Sequence, residues 1–187
     1  MSPTTAIQSL WIAWLLSWMI AAPWSNRTVG RPRLGSELAY RLITAFGALL
    51  LFVPGRRLDF SLKLWPTPPV VGWFLFGLAA AGVAFTWWAR LYLGRMWSSS
   101  VTRKAGHHIV DTGPYAWVRH PIYSGLSLAL AAWAILQARP IAFAGCALIF
   151  LGFWLKARLE ERFLRNELGP EVYDPYARRT GMFFPRV

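Results

Sequence analysis

Five apolar stretches, each nearly free of charge, divide this chain and decide what it can become: Ile7–Trp24, Leu38–Pro54, Val70–Ala89, Pro121–Ala138 and Pro140–Leu155. A helix needs about 20 apolar residues to cross a bilayer, and runs of this length read as membrane helices. Composition agrees. Apolar residues make up 56% of the 187 and charged ones only 15%, against about 25% charged in an ordinary globular domain. Disorder, a disulfide scaffold and a freely soluble domain are thereby excluded. The length suits one membrane domain over residues 1–187. Its first part, 1–89, would hold three spans, and 90–187 would hold the chemistry.

The first run contains no acidic or basic residue from Met1 to Asn26. A signal peptide would begin with a basic region, so a retained first helix is expected. The second run has an uninterrupted apolar core only over 42–54, a length that equally suits a buried or interfacial helix. Arg41 near its start can snorkel to the headgroups and so complete a span. The third, 70–89, is the clearest, twenty uncharged residues introduced by Pro66, Pro68 and Pro69. The fourth and fifth are separated only by Arg139. A connection that short makes them antiparallel neighbours, a helical hairpin. Small residues within it, among them Gly125, Ala129 and Gly145, suit close helix packing in a membrane. Lys156–Leu168 should continue the fifth helix into water as a helical tail, until Gly169-Pro170 stops it.

Basic residues set orientation in membrane proteins. With the N-terminus outside, the first and third connections and the tail place fifteen Lys and Arg on the cytoplasmic side. The other two connections place four outside. The net charge of +12 is then a topological signal and calls for no nucleic-acid partner. The expected protein is all-α, polytopic, with five spans, an outside N-terminus and a cytoplasmic tail. In a prokaryote it would lie in the inner (plasma) membrane.

All three histidines, His107, His108 and His120, fall within fourteen residues. Zinc needs three or four ligands with suitable local spacing. Adjacent histidines share one ion poorly, and the lone Cys146 lies in an apolar run, so no metal site is expected. There is no Gly-x-Ser-x-Gly elbow and no Gly-x-Gly-x-x-Gly. Arg119-His120-Pro121-x-Tyr123 at the mouth of the fourth helix admits two readings. One is an interfacial anchor; the other is a donor cluster where helix N–H groups favour an anion. Downstream, Lys156 and Glu160 share a helical face at i, i+4. Glu160-Glu161 between Arg158 and Arg162 reads as a solvated face by charge pattern. Even so, Lys156 and Glu160 leave the membrane at the level of His120.

The stretch His107-x-Ile109-Val110-x-x-Gly113-x-Tyr115-x-x-x-Arg119-His120-Pro121-x-Tyr123-x-Gly125 resembles the signature of the isoprenylcysteine carboxyl methyltransferase family. So does Glu160-Glu161-x-x-Leu164-x-x-x-Leu168-Gly169-x-x-Tyr173-x-x-Tyr176. Membrane methyltransferases of phospholipid amines share a looser version. The resemblance implies an S-adenosylmethionine cofactor held outside any Rossmann fold. Its contacts would fall on His107, His108, Ile109, Val110, Gly113, Tyr115, Arg119, His120, Pro121, Ile122, Tyr123, Glu160 and Glu161. It also implies that Lys156 holds the acceptor and that Lys156 and Glu160 are the catalytic pair. The family more often has Arg where Lys156 stands. That replaces a planar two-pronged grip on carboxylate by a point charge. The expected partners are membrane lipids and a lipophilic acceptor. A carboxylate acceptor is favoured, with a phospholipid amine and a non-enzymatic membrane module as the alternatives. The charge count generates a direct test. In a Cys146→Ala background, single cysteines at Ser99 and Ala177 should resist a membrane-impermeant thiol reagent in intact cells. Labelling of either from outside would reverse the orientation.

Overall fold

The computed structural model describes residues 1–24, 28–30, 34–52, 62–97, 103–104 and 109–186. Each of the five apolar runs forms a helix: α1 (Pro3–Ala21), α2 (Leu34–Phe52), α3 (Pro69–Leu93), α4 (Pro121–Gln137) and α5 (Pro140–Leu168). A sixth, α6 (Pro170–Arg179), follows α5. Five of the six begin with proline, whose fixed φ suits the first turn and whose missing N–H would have had no partner there. Ser2 caps α1 by accepting from the Thr5 amide at 3.1 Å. The hairpin turn is made by Ala138 in the left-handed region at φ 52°. Gly169 at φ 88° ends α5, and Pro170 starts α6 at once. The one ladder among the described residues is a short antiparallel pairing of β1 (Thr28–Gly30) with β2 (Arg103–Lys104).

The protein is an all-helical integral membrane protein. Helices α1, α3 and α5 are long and apolar enough to cross a bilayer, whereas α4 is apolar but has 17 residues. Helix α2 starts at Leu34, four residues before the apolar run, and so includes Glu37, which pairs with Arg41 one turn on. Ile12, Leu16, Phe46 and Phe74 point outward, as a lipid-facing surface requires.

The helices alternate in direction. At one end, the Leu64 amide donates to Ala138 O at 2.7 Å and Gln137 Nε2 to Leu51 O at 3.0 Å. At the other, Arg90 reaches back to the end of α1, donating to Ala21 O and Trp24 O, both at 3.0 Å. Arg90 directly follows the third apolar run, which ends at Ala89, and as a basic residue of the next connection it would be expected to be solvated. Instead α3 runs on to Leu93 and buries Arg90 completely. Three carbonyls and the faces of Trp24 and Trp97 offset the lost hydration.

The small residues of the hairpin do permit close approach, but chiefly to helices other than each other. A Cβ on Gly125 of α4 would stand 2.5 Å from Gly82 O of α3, and one on Gly145 of α5 would stand 2.7 Å from Gly47 O of α2. Lipid offers no hydrophobic gain for helix association, so such backbone contact supplies it through van der Waals packing. Gly125→Val should therefore lower thermal stability in detergent, by about 1–3 kcal/mol from overpacking. Gly77→Ala, with nothing within 4 Å of the added methyl, should leave the unfolding temperature essentially unchanged. Equal effects of the two would refute the close-approach account.

Candidate functional site

The polar end of the bundle gathers a buried ionic cluster from α4, α5 and the segment after α6. Pro121 starts α4, so His120 precedes it as the N-cap residue, at φ −125°. Its imidazole lies between two carboxylates. Nε2 stands 3.2 Å from Glu161 Oε1, and Nδ1 stands 3.5 Å from Glu160 Oε2. Arg119 Nε donates to the same Glu161 oxygen at 2.7 Å. Its Nη1 donates to Ala177 O at 3.0 Å and also to Thr180 O. One helical step back, Tyr123 OH donates to Glu160 Oε1 at 3.0 Å, and Lys156 Nζ stands 3.9 Å from that oxygen. The Lys156 ammonium lies 5.4 Å from the Tyr123 ring centroid and 5.8 Å from that of Tyr40 on α2.

This geometry decides between readings that the sequence left open. Arg119 is no snorkelling anchor; its side chain is 12% exposed and ties α4 to α5 and α6. Glu160 and Glu161 are not on the solvated face; they turn inward while Arg158 and Arg162 remain exposed. Of the other residues singled out, Ile109, Val110 and Ile122 are half-buried and Pro121 is buried. Gly113, at φ 57°, packs where a Cβ would meet the Tyr92 ring at 2.6 Å. Tyr115 is buried, its OH donating to Ala89 O at 3.4 Å and its carbonyl accepting from Tyr176 OH at 3.0 Å. His107 and His108 lie outside the described residues. Among the described residues, no group of three His, Cys, Asp or Glu is placed to hold a metal ion.

Two contributors escaped the sequence reading. Tyr40 comes from α2, which carries no signature. Phe183 returns from the tail to lie against His120, its ring tilted at 53° with the centroids 5.9 Å apart. The Phe183-Phe184-Pro185 triplet, apolar within a polar tail, was the available signal. Beside Phe183 lies an apolar cavity of about 690 Å³, bounded by α3, α4, α5 and residues 183–185. That volume falls in the range of small-molecule sites, about 300–1,000 Å³.

The fold and the cluster together define a helical membrane protein with an ionic site at one end, beside an apolar chamber. Residues 74–166 match the model of the isoprenylcysteine carboxyl methyltransferase family, so over this stretch the chain is similar to that family. It is 31% identical over 164 residues to the cobalt-zinc-cadmium resistance protein CzcN of Cupriavidus metallidurans, covering 84% of this chain and 65% of that protein. To the nickel-cobalt-cadmium resistance protein NccN of Alcaligenes xylosoxydans xylosoxydans it is 31% identical over 96 residues, covering 51% of this chain and 45% of that protein. The chain thus spans less than two thirds of either relative's own length.

Burial opposes charge on His120, but hydrogen bonds and the nearby charges of Glu160 and Glu161 outweigh it and hold the imidazole pKa above its ordinary value. A raised folded-state pKa adds stability that is fully present below the unfolded value and lost as pH rises through the folded one. In NMR spectra of histidine-labelled protein, the His120 ring should titrate above the ordinary histidine range. Glu161→Gln should move that midpoint down. A midpoint at or below the ordinary value in the unmodified chain would contradict the two-carboxylate arrangement.

Proposed function

We propose that the protein is an S-adenosylmethionine-dependent methyltransferase acting on a lipophilic carboxylate, an isoprenylcysteine-like acceptor. The observation that carries this reading is a largely buried ionic cluster beside an apolar cavity, its charged residues all within the stretch that matches a methyltransferase family model. The site's chemistry fits the cofactor. Glu160 and the faces of Tyr40 and Tyr123 already surround one cation, the Lys156 ammonium, so the same surfaces suit a sulfonium. When bound, the cofactor supplies an electrophilic methyl group, and a carboxylate accepting it needs no general base. Lys156 would hold the anionic headgroup, and His120, between the two carboxylates, would line the cofactor's side of the site. Glu160 would face the cofactor's positive charge, and Arg119 would keep Glu161 and the tail in place. Phe153, stacked on Tyr123 at 5.1 Å, and Phe183 help exclude water from the polar end. All five apolar helices span the membrane in this reading, with the N-terminus outside and the cluster cytoplasmic.

Methylation of a phospholipid amine is the second reading, favoured by the carboxylates themselves, since Glu160 or Glu161 could take a proton from an ammonium. Two measurements decide. In a folded protein, His120→Ala and Glu160→Ala should each weaken S-adenosylmethionine binding by about tenfold or more, equivalent to at least ~1.4 kcal/mol. Arg162→Ala, on the exposed face, should bind normally. Unchanged calorimetric binding in both cluster variants would remove the cofactor assignment. Radiolabelled methyl transferred to membrane extract should then be released as methanol in mild base. Label retained wholly on the lipid would replace the carboxylate by the amine.

A further inference from the structure

The segment that follows α6, residues 180–186, lies beyond the stretch shared with the family and is strapped across the start of α4. The Arg119 amide donates to Gly181 O at 2.8 Å, the His120 amide to Met182 O at 3.1 Å, and Ser124 Oγ to Phe183 O at 2.7 Å. The Arg119 guanidinium adds Thr180 O. All of these donors come from the six residues 119–124, which carry His120. At Gly181 the strap turns so tightly that a Cβ would collide with Phe184 O. Main-chain carbonyls therefore tie the strap to α4 without using the Phe183 side chain in any of these hydrogen bonds.

The ring is positioned instead. Phe183 is 8% exposed, with its centroid 5.9 Å from His120, 6.4 Å from Tyr123 and 5.4 Å from Phe150. The same side chain lines the apolar cavity, together with Ser124, Cys146 and Phe150. One ring thus touches both the ionic cluster and the chamber beside it.

From this placement we infer that Phe183 is the specificity-determining partition of the site: it closes the head end of the cavity and sets the length of apolar chain the cavity admits. The inference rests on the methyltransferase reading for its ligand, a carboxylate on a single apolar tail. A headgroup narrow enough to pass the ring reaches Lys156, while the tail stays among Phe143, Phe150 and Leu128. A headgroup too wide to pass the ring is held short of the cluster, and an apolar chain anchored within the cavity can extend only as far as the ring.

The lone thiol, Cys146, lines the same chamber and gives a readout that needs no enzymatic activity. The full-length protein in detergent is treated with N-alkylmaleimides of increasing chain length, and alkylation is followed by intact mass. In the unmodified protein the rate should fall beyond one chain length. Phe183→Ala should move that limit to longer chains, with about tenfold faster alkylation at the first length the unmodified protein rejects. Phe183→Leu, which keeps an apolar side chain on the strap, should lie between. If both variants unfold at the normal temperature yet keep the original profile, the partition is wrong. S-adenosylmethionine binding is measured in parallel. Its absence from the unmodified protein would sink the methyltransferase reading and leave the alkylation result standing. Normal cofactor binding with an unmoved profile would sink the partition alone.

Discussion

Backbone-to-backbone approach at Gly82–Gly125 and at Gly47–Gly145 sets the register on which the polar end depends. At these crossings an added Cβ would stand 2.5 to 2.8 Å from the facing carbonyl, far inside van der Waals contact. A slip by one residue would bring a side chain into that space, so the helices meet in one register only. Thr86 reinforces it, donating to Gly82 O at 2.9 Å and approaching Ile122 O at 3.4 Å. With α4 fixed on α3, α5 fixed on α2, and α4 joined to α5 by the hairpin turn at Ala138, His120 arrives opposite Glu160 and Glu161. Membrane helices lack the hydrophobic drive that would tolerate looser seams. Here the packing supplies both the association and the alignment of the site.

The ionic cluster follows from the same environment. A charge brought toward hydrocarbon must find partners within the protein, and each member here has at least one. Arg119 satisfies Glu161 and two carbonyls, His120 lies between both carboxylates, and Tyr123 and Lys156 converge on Glu160. Removing one partner from such a set costs more than the pair itself contributed, because the remaining charge stays buried. The far end of the bundle is tied by carbonyl contacts of Leu64 and Gln137 and carries no comparable cluster among the described residues.

Much of this was legible in the residues. Uncharged run length gave the five helices, proline and glycine marked their ends, and the hairpin followed from a connection too short to do otherwise. The motif around His120 and the Glu160-Glu161 pair pointed to one site from two places in the chain. Partner choice was less legible. Gly125 and Gly145 announce close contact but carry no mark of which helix they meet, so α3 and α2 had to be seen. Charge patterning placed Glu161 with its exposed neighbours Arg158 and Arg162. Successive residues on a helix point about 100° apart, and only the position of Arg119 shows that Glu161 turns inward. Arg90 was misread for a related reason: a basic residue just past an apolar run is ordinarily solvated, and its burial depends on carbonyls 66 and 69 residues away.

The charge balance of the cluster bears on the class of acceptor. Taken alone, an i, i+4 pair of Lys156 with Glu160 would cancel the cation that an acceptor carboxylate needs. In the structure Glu160 is shared. It accepts from Tyr123 at 3.0 Å and faces His120 at 3.5 Å, with Lys156 the most distant of the three at 3.9 Å. With the imidazole protonated, Arg119, His120 and Lys156 stand as three cations against the two carboxylates Glu160 and Glu161. One positive charge is left over, in a site whose burial reduces screening. A sulfonium bound against Glu160 would raise that excess by one, so an anionic headgroup beside the cavity would offset it, whereas an ammonium acceptor would add a further positive charge. The surplus depends on His120. As pH rises through the elevated value of this imidazole, the cluster becomes neutral and its preference for an anion weakens. Affinity for a carboxylate acceptor should then fall across the same pH interval in which the His120 ring titrates.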